Sequence, residues 1–139
     1  MKVKNAMHRG VDWVSPDTPI SEIAKLMRGH DIGCIPVGDS DKLVGMVTDR
    51  DIVCNGLAKN GFDAASMTAR DVMSSGIHCC REDDDLAKAV HHMEQLRIRR
   101  LPVINEDKRM VGMLSLGDLG QAAPSELLSE CVRHVSAHH

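Results

Sequence analysis

Gly45-Met46-Val47-Thr48-Asp49-Arg50-Asp51-Ile52 returns once in the chain, as Gly112-Met113-Leu114-Ser115-Leu116-Gly117-Asp118-Leu119. Both copies read glycine, a short apolar run, a hydroxyl residue, two variable residues, aspartate and an apolar residue. The offset is 67 residues throughout the motif. Upstream, Val11 to Val14 answers Ile77 to Cys80, Ile20 answers Leu86, Met27 answers Met93, and Pro36-Val37 answers Pro102-Val103, at an offset of 66. The second copy therefore carries one extra residue in the turn between Pro102 and Gly112. A register kept through a helix, two strands and a turn marks two copies of one supersecondary unit, over residues 4–57 and 70–122.

A chain of 139 residues buries about two thirds of its unfolded surface, enough for a real core. Aromatics are 1% of the residues, so that core must come from Ile, Val, Leu and the nine Met. Net charge is −3, which supplies no global basic field for nucleic acid. No apolar run reaches the roughly 18 residues of a membrane span, and no hydrophobic leader opens the chain. Five cysteines at irregular spacing match no secreted disulfide framework, so a reducing cytoplasm is the expected compartment.

In chain order, Val11 to Val14 reads as a short strand. Thr18 and Pro19 open a helix whose apolar face is Ile20, Ile23, Ala24 and Met27, with Gly29 as its stop. Cys34 to Val37 and Leu43 to Val47 read as strands around a turn from Gly38 to Lys42. Thr48 or Asp49 caps the next helix, which runs to about Leu57, and Asn55 to Ser66 reads as a linker. The second copy repeats the plan. A strand runs from Ile77 to Cys80, and a helix carries Leu86, Ala89, Val90, Met93 and Arg97 on its inner face. Strands over Leu101 to Ile104 and Met110 to Leu114 flank Asn105 to Lys108. Pro124 starts an extra helix with Leu127, Leu128, Cys131 and Val132 apolar. Each unit thus reads β-α-β-β-α. The expected division is repeat one over 1–60, a linker over 61–67, repeat two over 68–123, and a C-terminal helix and tail over 124–139.

The motif has the outline of a nucleotide site. Thr48 and Ser115 stand at helix N-termini, where free N–H groups and the helix dipole attract anions. One turn later, Asp51 and Asp118 offer carboxylates that can accept bonds from vicinal sugar hydroxyls. One copy alone would read as helix capping; two copies in register favour a ligand.

These residues resemble the CBS domain, an adenosine-nucleotide-binding regulatory module. The pattern Gly45-x-x-Thr48-x-x-Asp51 and Gly112-x-x-Ser115-x-x-Asp118, each after Ile35-Pro36-Val37 or Leu101-Pro102-Val103, is similar to a tandem CBS pair in small bacterial proteins. The resemblance implies an α/β fold of two repeats paired with pseudo-twofold symmetry, and two ligand clefts. It gives the ribose to Asp51 and Asp118 and phosphate to Thr48 and Ser115. It lines the adenine slots with Met46, Ile77 and His78 at the first site, and with Met113, Val11 and Asp12 at the second. It implies AMP, ADP, ATP, NAD or S-adenosylmethionine as ligand with no obligatory cofactor. It also implies a homodimer formed through the flanking helices, with apolar faces at Ile52-Val53 and Leu119, and an unidentified protein partner.

The two sites are expected to differ. Arg97, Arg99 and Arg100 stand where the first repeat has Asp31, Gly33 and Cys34. Arg99 and Arg100 read either as phosphate ligands, through the planar guanidinium fork, or as a solvated basic turn. Arg50 serves the first site, and its counterpart Gly117 cannot.

Other signals are set aside. Gly56 to Gly61 has P-loop spacing without the following Lys and hydroxyl residue. His78-Cys79-Cys80 with His91-His92 suggests zinc, but adjacent strand cysteines point to opposite faces. Cys34 and Cys54 read as small buried hydrophobes, and His134, His138 and His139 as a disordered tail. No catalytic constellation emerges. The expectation is a regulatory nucleotide-binding protein and not an enzyme, with a ligand-free dimerisation scaffold as the alternative.

Overall fold

The computed structural model describes residues 1–74, 78–122 and 125–136. Ile77, Pro124, His138 and His139, all singled out above, lie outside the described residues. The chain divides into two compact units: Asp12–Ile77, and Met1–Val11 together with His78–His139.

In the Asp12–Ile77 unit, helix α1 (Ile20–His30) leads to strands β2 (Cys34–Asp39) and β3 (Lys42–Thr48). Gly29 does not stop α1. The helix runs one residue further, and Asp31 turns the chain in the left-handed region at φ 52°. Arg97 does the same after the second-repeat helix, at φ 55°, and is exposed there rather than on the inner face. The β2–β3 hairpin turns on Ser40 and Asp41, both with positive φ, which fits a two-residue turn matched to strand twist. The expected strand before α1 shrinks to one parallel bridge, Val14 to Val37.

The stretch after β3 is helical, not a linker. It runs from α2 (Asp49–Asp51) through a π-helical segment, Ile52–Leu57, into α3 (Ala58–Asn60), then a 3₁₀ segment, Gly61–Ser66. Helix α4 (Ala69–Val72) closes the unit. Ile23, Ile35, Val37, Val47, Ala69 and Val72 form its core.

The second unit has strand order β1-β6-β5-β4. Strand β1 (His8–Arg9) comes from the N-terminal arm, followed in space by β6 (Met110–Ser115), β5 (Arg100–Ile104) and β4 (Cys80–Arg81). Helices α5 (Leu86–Leu96), α6 (Leu116–Ala122) and α7 (Ser125–Ser136) complete it. The extra residue expected after Pro102 sits in the β5–β6 turn. There Lys108 takes φ 63°, and Asn105 Oδ1 accepts from the amides of Asp107 and Arg109 at 2.9 and 3.0 Å. Cys131 and Val135 of α7 are buried, whereas Val132 is exposed. Leu119, expected on an exposed face, is fully buried.

The N-terminal arm is the main departure from the order of the repeats. Val3 and Met7 are buried in the core built by the second repeat. The amides of Val3 and Lys4 donate to the carbonyls of Asp84 and Glu82, both at 2.9 Å, and Leu86 N–H donates to Met1 O at 2.8 Å. Lys4 also pairs with Asp83 at 3.1 Å. The same three backbone bonds recur in the first-repeat unit. Ala69 donates to Thr18 and Arg70 to Pro16, both at 2.9 Å, and Ile20 donates to Met67 at 3.0 Å. Met67–Ser74 is therefore the counterpart of Met1–His8, and each arm completes the unit of the other repeat.

Each arm ends against the motif strand, His8 opposite Met113 and Ser74 opposite Met46. This is where the motif glycines are needed. They lie inside β3 and β6. A Cβ on Gly45 would stand 2.8 Å from Ser74 O and 2.9 Å from Met73 Sδ. A Cβ on Gly112 would overlap His8 O and approach Met7 Sδ to 3.3 Å. The obstacle at Gly112 is backbone, which cannot rotate away. Gly112→Ala is expected to lower stability by about 1–3 kcal/mol through overpacking. Gly120→Ala, where the new Cβ meets nothing within 4 Å, should not destabilise. Urea unfolding midpoints of the two variants check this; equal midpoints would refute the close-approach account.

Candidate functional site

Strand pairing puts the candidate residues on one face of each sheet. In the Asp12–Ile77 unit, Cys34 is opposite Thr48 and Pro36 opposite Met46, while Ile35 and Val47 point to the core. In the other unit, Arg100 is opposite Ser115, and Pro102 and His8 are both opposite Met113. Leu101 and Leu114 fill the core face. Alternation along the strands thus separates site from core.

At the end of β3, Thr48 and Asp51 form a reciprocal capping box. Asp51 N–H donates to Thr48 Oγ1 at 3.0 Å, and Thr48 N–H donates to Asp51 Oδ2 at 2.9 Å. The second carboxylate oxygen of Asp51 accepts no bond among the described residues. Asp49, not Asp51, takes the exposed position, and its Oδ1 accepts from Arg50 N–H at 2.8 Å. The start of α2 is tied back to Gly33, whose carbonyl accepts from Asp49 N–H at 2.9 Å. A side chain at 33 would meet the Asp49 carboxylate at 3.0 Å. Arg50 is exposed.

The second motif is built the same way and then differs. Ser115 N–H and Oγ both donate to Asp118 Oδ2, at 2.9 and 3.0 Å, and Asp118 N–H donates to Ser115 Oγ at 3.2 Å. His8 adds a contact that the first copy lacks among the described residues: its Nδ1 lies 2.9 Å from Asp118 Oδ2. Ser74 stands in the place of His8 at the first motif, with its hydroxyl 3.4 Å from Met46 O. Leu116 N–H donates to Arg99 O at 3.1 Å, repeating the Asp49–Gly33 tie. Arg99 is exposed and Arg100 half-buried beside Ser115. Among the described residues neither pairs with a carboxylate.

Met46 and Met113 are buried on the site face, at 8% and 6% exposure. Val11 belongs to the unit of Asp118, Asp12 to that of Asp51, and the exposed His78 to that of Asp118. Sequence reasoning missed His8. The signal was available: Met1-x-x-Lys4-Asn5-x-Met7-His8 answers Met67-x-x-Arg70-Asp71-x-Met73-Ser74, which places His8 on the second motif as Ser74 is placed on the first.

Comparison with known proteins identifies the family. The CBS domain family model matches residues 3–55 and 69–125. Hypoxic response protein 1 of Mycobacterium tuberculosis is 35% identical over 133 residues, covering 95% of this chain and 92% of its own length. A crystal structure of Hypoxic Response Protein I with two coordinated zinc ions superposes with TM-score 0.80 and 36% identity, covering 89% of this chain and 100% of that one. The crystal structure of CBSX2 in complex with AMP gives TM-score 0.75 and 26% identity, covering 88% of this chain and 95% of that one. The chain belongs to the CBS domain family. Among the described residues no helix is long and apolar enough to cross a membrane.

Cys80 and Cys131 stand apart from the motif face, in the core. Cys80 is buried in β4, where its Sγ lies 3.8 Å from Pro102 O, and burial pushes its pKa up to about 12. Burial likewise raises Cys79, and burial together with the Glu94 charge raises Cys131 to about 11. The rings of His78 and His92 meet edge to face, 6.1 Å between centroids, and burial and the His78 charge lower the His92 pKa. Cys54, expected buried, is exposed. Cys80 and Cys131 are therefore neutral, shielded thiols at neutral pH. Native protein is expected to alkylate at Cys54, and at Cys80 and Cys131 only after unfolding. Because the folded pKa of Cys80 lies above the ordinary value of 9.0, its contribution is intact below that value and declines as pH rises from there towards 12. Mass mapping of alkylated peptides, with alkaline melting curves, checks both statements.

Proposed function

We propose that this CBS-domain protein is a regulatory binder of an adenosyl ligand, in which Asp51 and Asp118 hold ribose and Thr48 and Ser115 stand by phosphate. The observation that carries this reading is the division of labour in each carboxylate. One oxygen closes the capping box, and the other accepts nothing among the described residues. A half-buried carboxylate with an open oxygen at a helix N-terminus is an acceptor suited to sugar hydroxyls. The capping hydroxyl marks where helix amides attract an anion. AMP in CBSX2 supports the ligand class. AMP, ADP, ATP, NAD and S-adenosylmethionine all present the adenosyl group.

The two motifs are unequal in charge. Arg100, half-buried and cross-strand from Ser115, suits a phosphate group at the Asp118 motif. His8 already occupies one Asp118 oxygen. The Asp51 motif has the exposed Arg50 as its basic residue. A ligand that binds one conformation more tightly than another shifts the population towards it and alters what a partner protein meets. We assign no catalytic step to these residues. A homodimer forms through the helical face of the Asp12–Ile77 unit, where Ile20, Ala24, Ile52, Leu57 and Ala64 line an apolar groove of about 500 Å³. That groove also favours the second reading, a dimerisation scaffold that works without ligand.

The decisive variants are Asp51→Asn and Asp118→Asn rather than alanine. Asparagine keeps an acceptor for the capping amide, whereas loss of a cap alone costs about 1 kcal/mol. Thermal-shift titration with the five ligands should raise Tm for at least one of them, by about 2.7 kcal/mol of stabilisation at a hundredfold excess over Kd. The responsible asparagine variant should weaken that ligand by about 1.5–3 kcal/mol, the worth of a charge-assisted hydrogen bond, with its own melting curve little changed. Arg100→Ala should weaken phosphate-bearing ligands at the Asp118 motif. Folded protein that responds to none of the ligands, or equally with both variants in place, would favour the scaffold.

A further inference from the structure

The C-terminal helix carries a group of donors that the nucleotide reading does not use. Among the described residues Glu94, on α5, is the only buried charged residue, and its side chain is 7% exposed. No enclosed side-chain oxygen among the described residues is left without a partner, and a carboxylate in that position still gains from a cation beside it. Among the described residues its one ion-pair neighbour is His91 Nδ1 at 3.6 Å, beyond hydrogen-bond distance and 68% exposed. No Lys or Arg pairs with it among the described residues.

What α7 brings to Glu94 is a second carboxylate and an imidazole. Glu130 and His134 stand one turn apart on α7, so both face the same side. One carboxylate oxygen from Glu94, one from Glu130 and a ring nitrogen of His134 all lie within 4.8 Å of one another. Two carboxylates this close, one of them buried, repel unless a proton or a cation joins them. One ring nitrogen of His134 is engaged within its own helix, which leaves the other as the one able to ligate. Its Nδ1 lies 2.8 Å from the Glu130 carbonyl oxygen, which can only accept, so Nδ1 carries the proton and Nε2 keeps its lone pair.

We propose that Glu94, Glu130 and His134 bind one divalent transition-metal ion of the zinc class and so clamp α7 onto α5. Two carboxylate oxygens and one imidazole nitrogen suit Zn²⁺ or Co²⁺ better than Ca²⁺ or Mg²⁺, which favour all-oxygen shells. Donors on one zinc ion, each at about 2.1 Å, lie no more than about 4.2 Å apart. Glu130 and His134 are exposed and can close that gap onto the fixed Glu94 by side-chain rotation. Three protein ligands leave a fourth position for water or an outside donor.

The test is Co²⁺ titration of the full chain without an added tag, read by visible absorption and repeated as Zn²⁺ competition. One equivalent should bind. Glu130→Gln and His134→Ala change exposed side chains, so the fold should persist while Co²⁺ affinity falls at least about tenfold. Glu94→Gln should abolish binding and, by removing a buried charge, hold or raise the Tm of the metal-free protein. His138→Ala/His139→Ala should bind as the parent does. No uptake of Co²⁺, uptake unchanged in both Glu130→Gln and His134→Ala, or uptake lost with the tail histidines would each overturn the proposal. If Glu94→Gln does not fold, the two α7 variants still decide the matter.

Discussion

The organisation of each unit depends on a strand arm lying across a glycine. His8 passes over Gly112 and Ser74 over Gly45, at a distance that no side chain on the glycine would permit. The arm covers the edge of β6 or β3, which would otherwise present unpaired backbone groups. It also carries apolar side chains inward: Val3 and Met7 in one unit, Ala69 and Val72 in the other. Because each arm precedes one repeat but completes the other, neither repeat closes its core from its own contiguous sequence. Cutting the chain between repeats would leave each piece without an edge strand and part of its core.

The units share a plan but not a surface. Ile20, Ala24 and Ile52 correspond in register to Leu86, Val90 and Leu119. In the Asp12–Ile77 unit the first set lines an open apolar groove, with Ala24 exposed. In the other unit the second set is buried, together with Cys131 and Val135 of α7. The extra C-terminal helix therefore covers in one unit the surface that stays open in the other. The π-helical segment Ile52–Leu57 adds to this difference. It leaves Val53 and Leu57 exposed at 54% and 53%, where α6 is regular. Irregular helical turns of this kind cost stability and are kept mostly where a surface is used.

Much of this was legible in the sequence. The two motifs, the helix faces at Ile20, Ile23 and Met27, the hairpins and the extra turn residue all followed from periodicity and register. Local signals failed where several weak ones competed. Gly29 reads as a helix stop, yet Asp31 supplies the left-handed residue, because a short polar side chain tolerates that conformation. Asn55 to Ser66 looks like a linker by composition, yet it packs as helix because Gly56 and Ala64 fit against α1 and α4. Leu119 and Val132 exchanged their expected exposure because α7 docks through Cys131 and Val135. The arms were the largest miss. A seven-residue match between Met1–Met7 and Met67–Met73 was present, but only strand pairing shows that each crosses to the other repeat. His8 and Glu94 were missed for the same reason, since their partners lie far along the chain.

The capping boxes join folding and recognition in one side chain. Asp51 and Asp118 each hold the first turn of a helix through one oxygen, so removing either carboxylate loosens the element that would present the ligand. Conversely, a hydroxyl donating to the second oxygen would meet a carboxylate already oriented, by the Thr48 amide at Asp51 and by the Ser115 amide and hydroxyl at Asp118. At Asp118 the imidazole Nδ1 of His8 stands 2.9 Å from the carboxylate oxygen that closes the capping box, and Asp51 has no such neighbour among the described residues. The two motifs thus differ in what already contacts the carboxylate. His8 comes from the arm that completes the sheet edge, so anything that draws charge from Asp118 also acts on the arm. Under the proposed reading, occupancy of the second motif would have a direct physical route to the packing of the N-terminal segment.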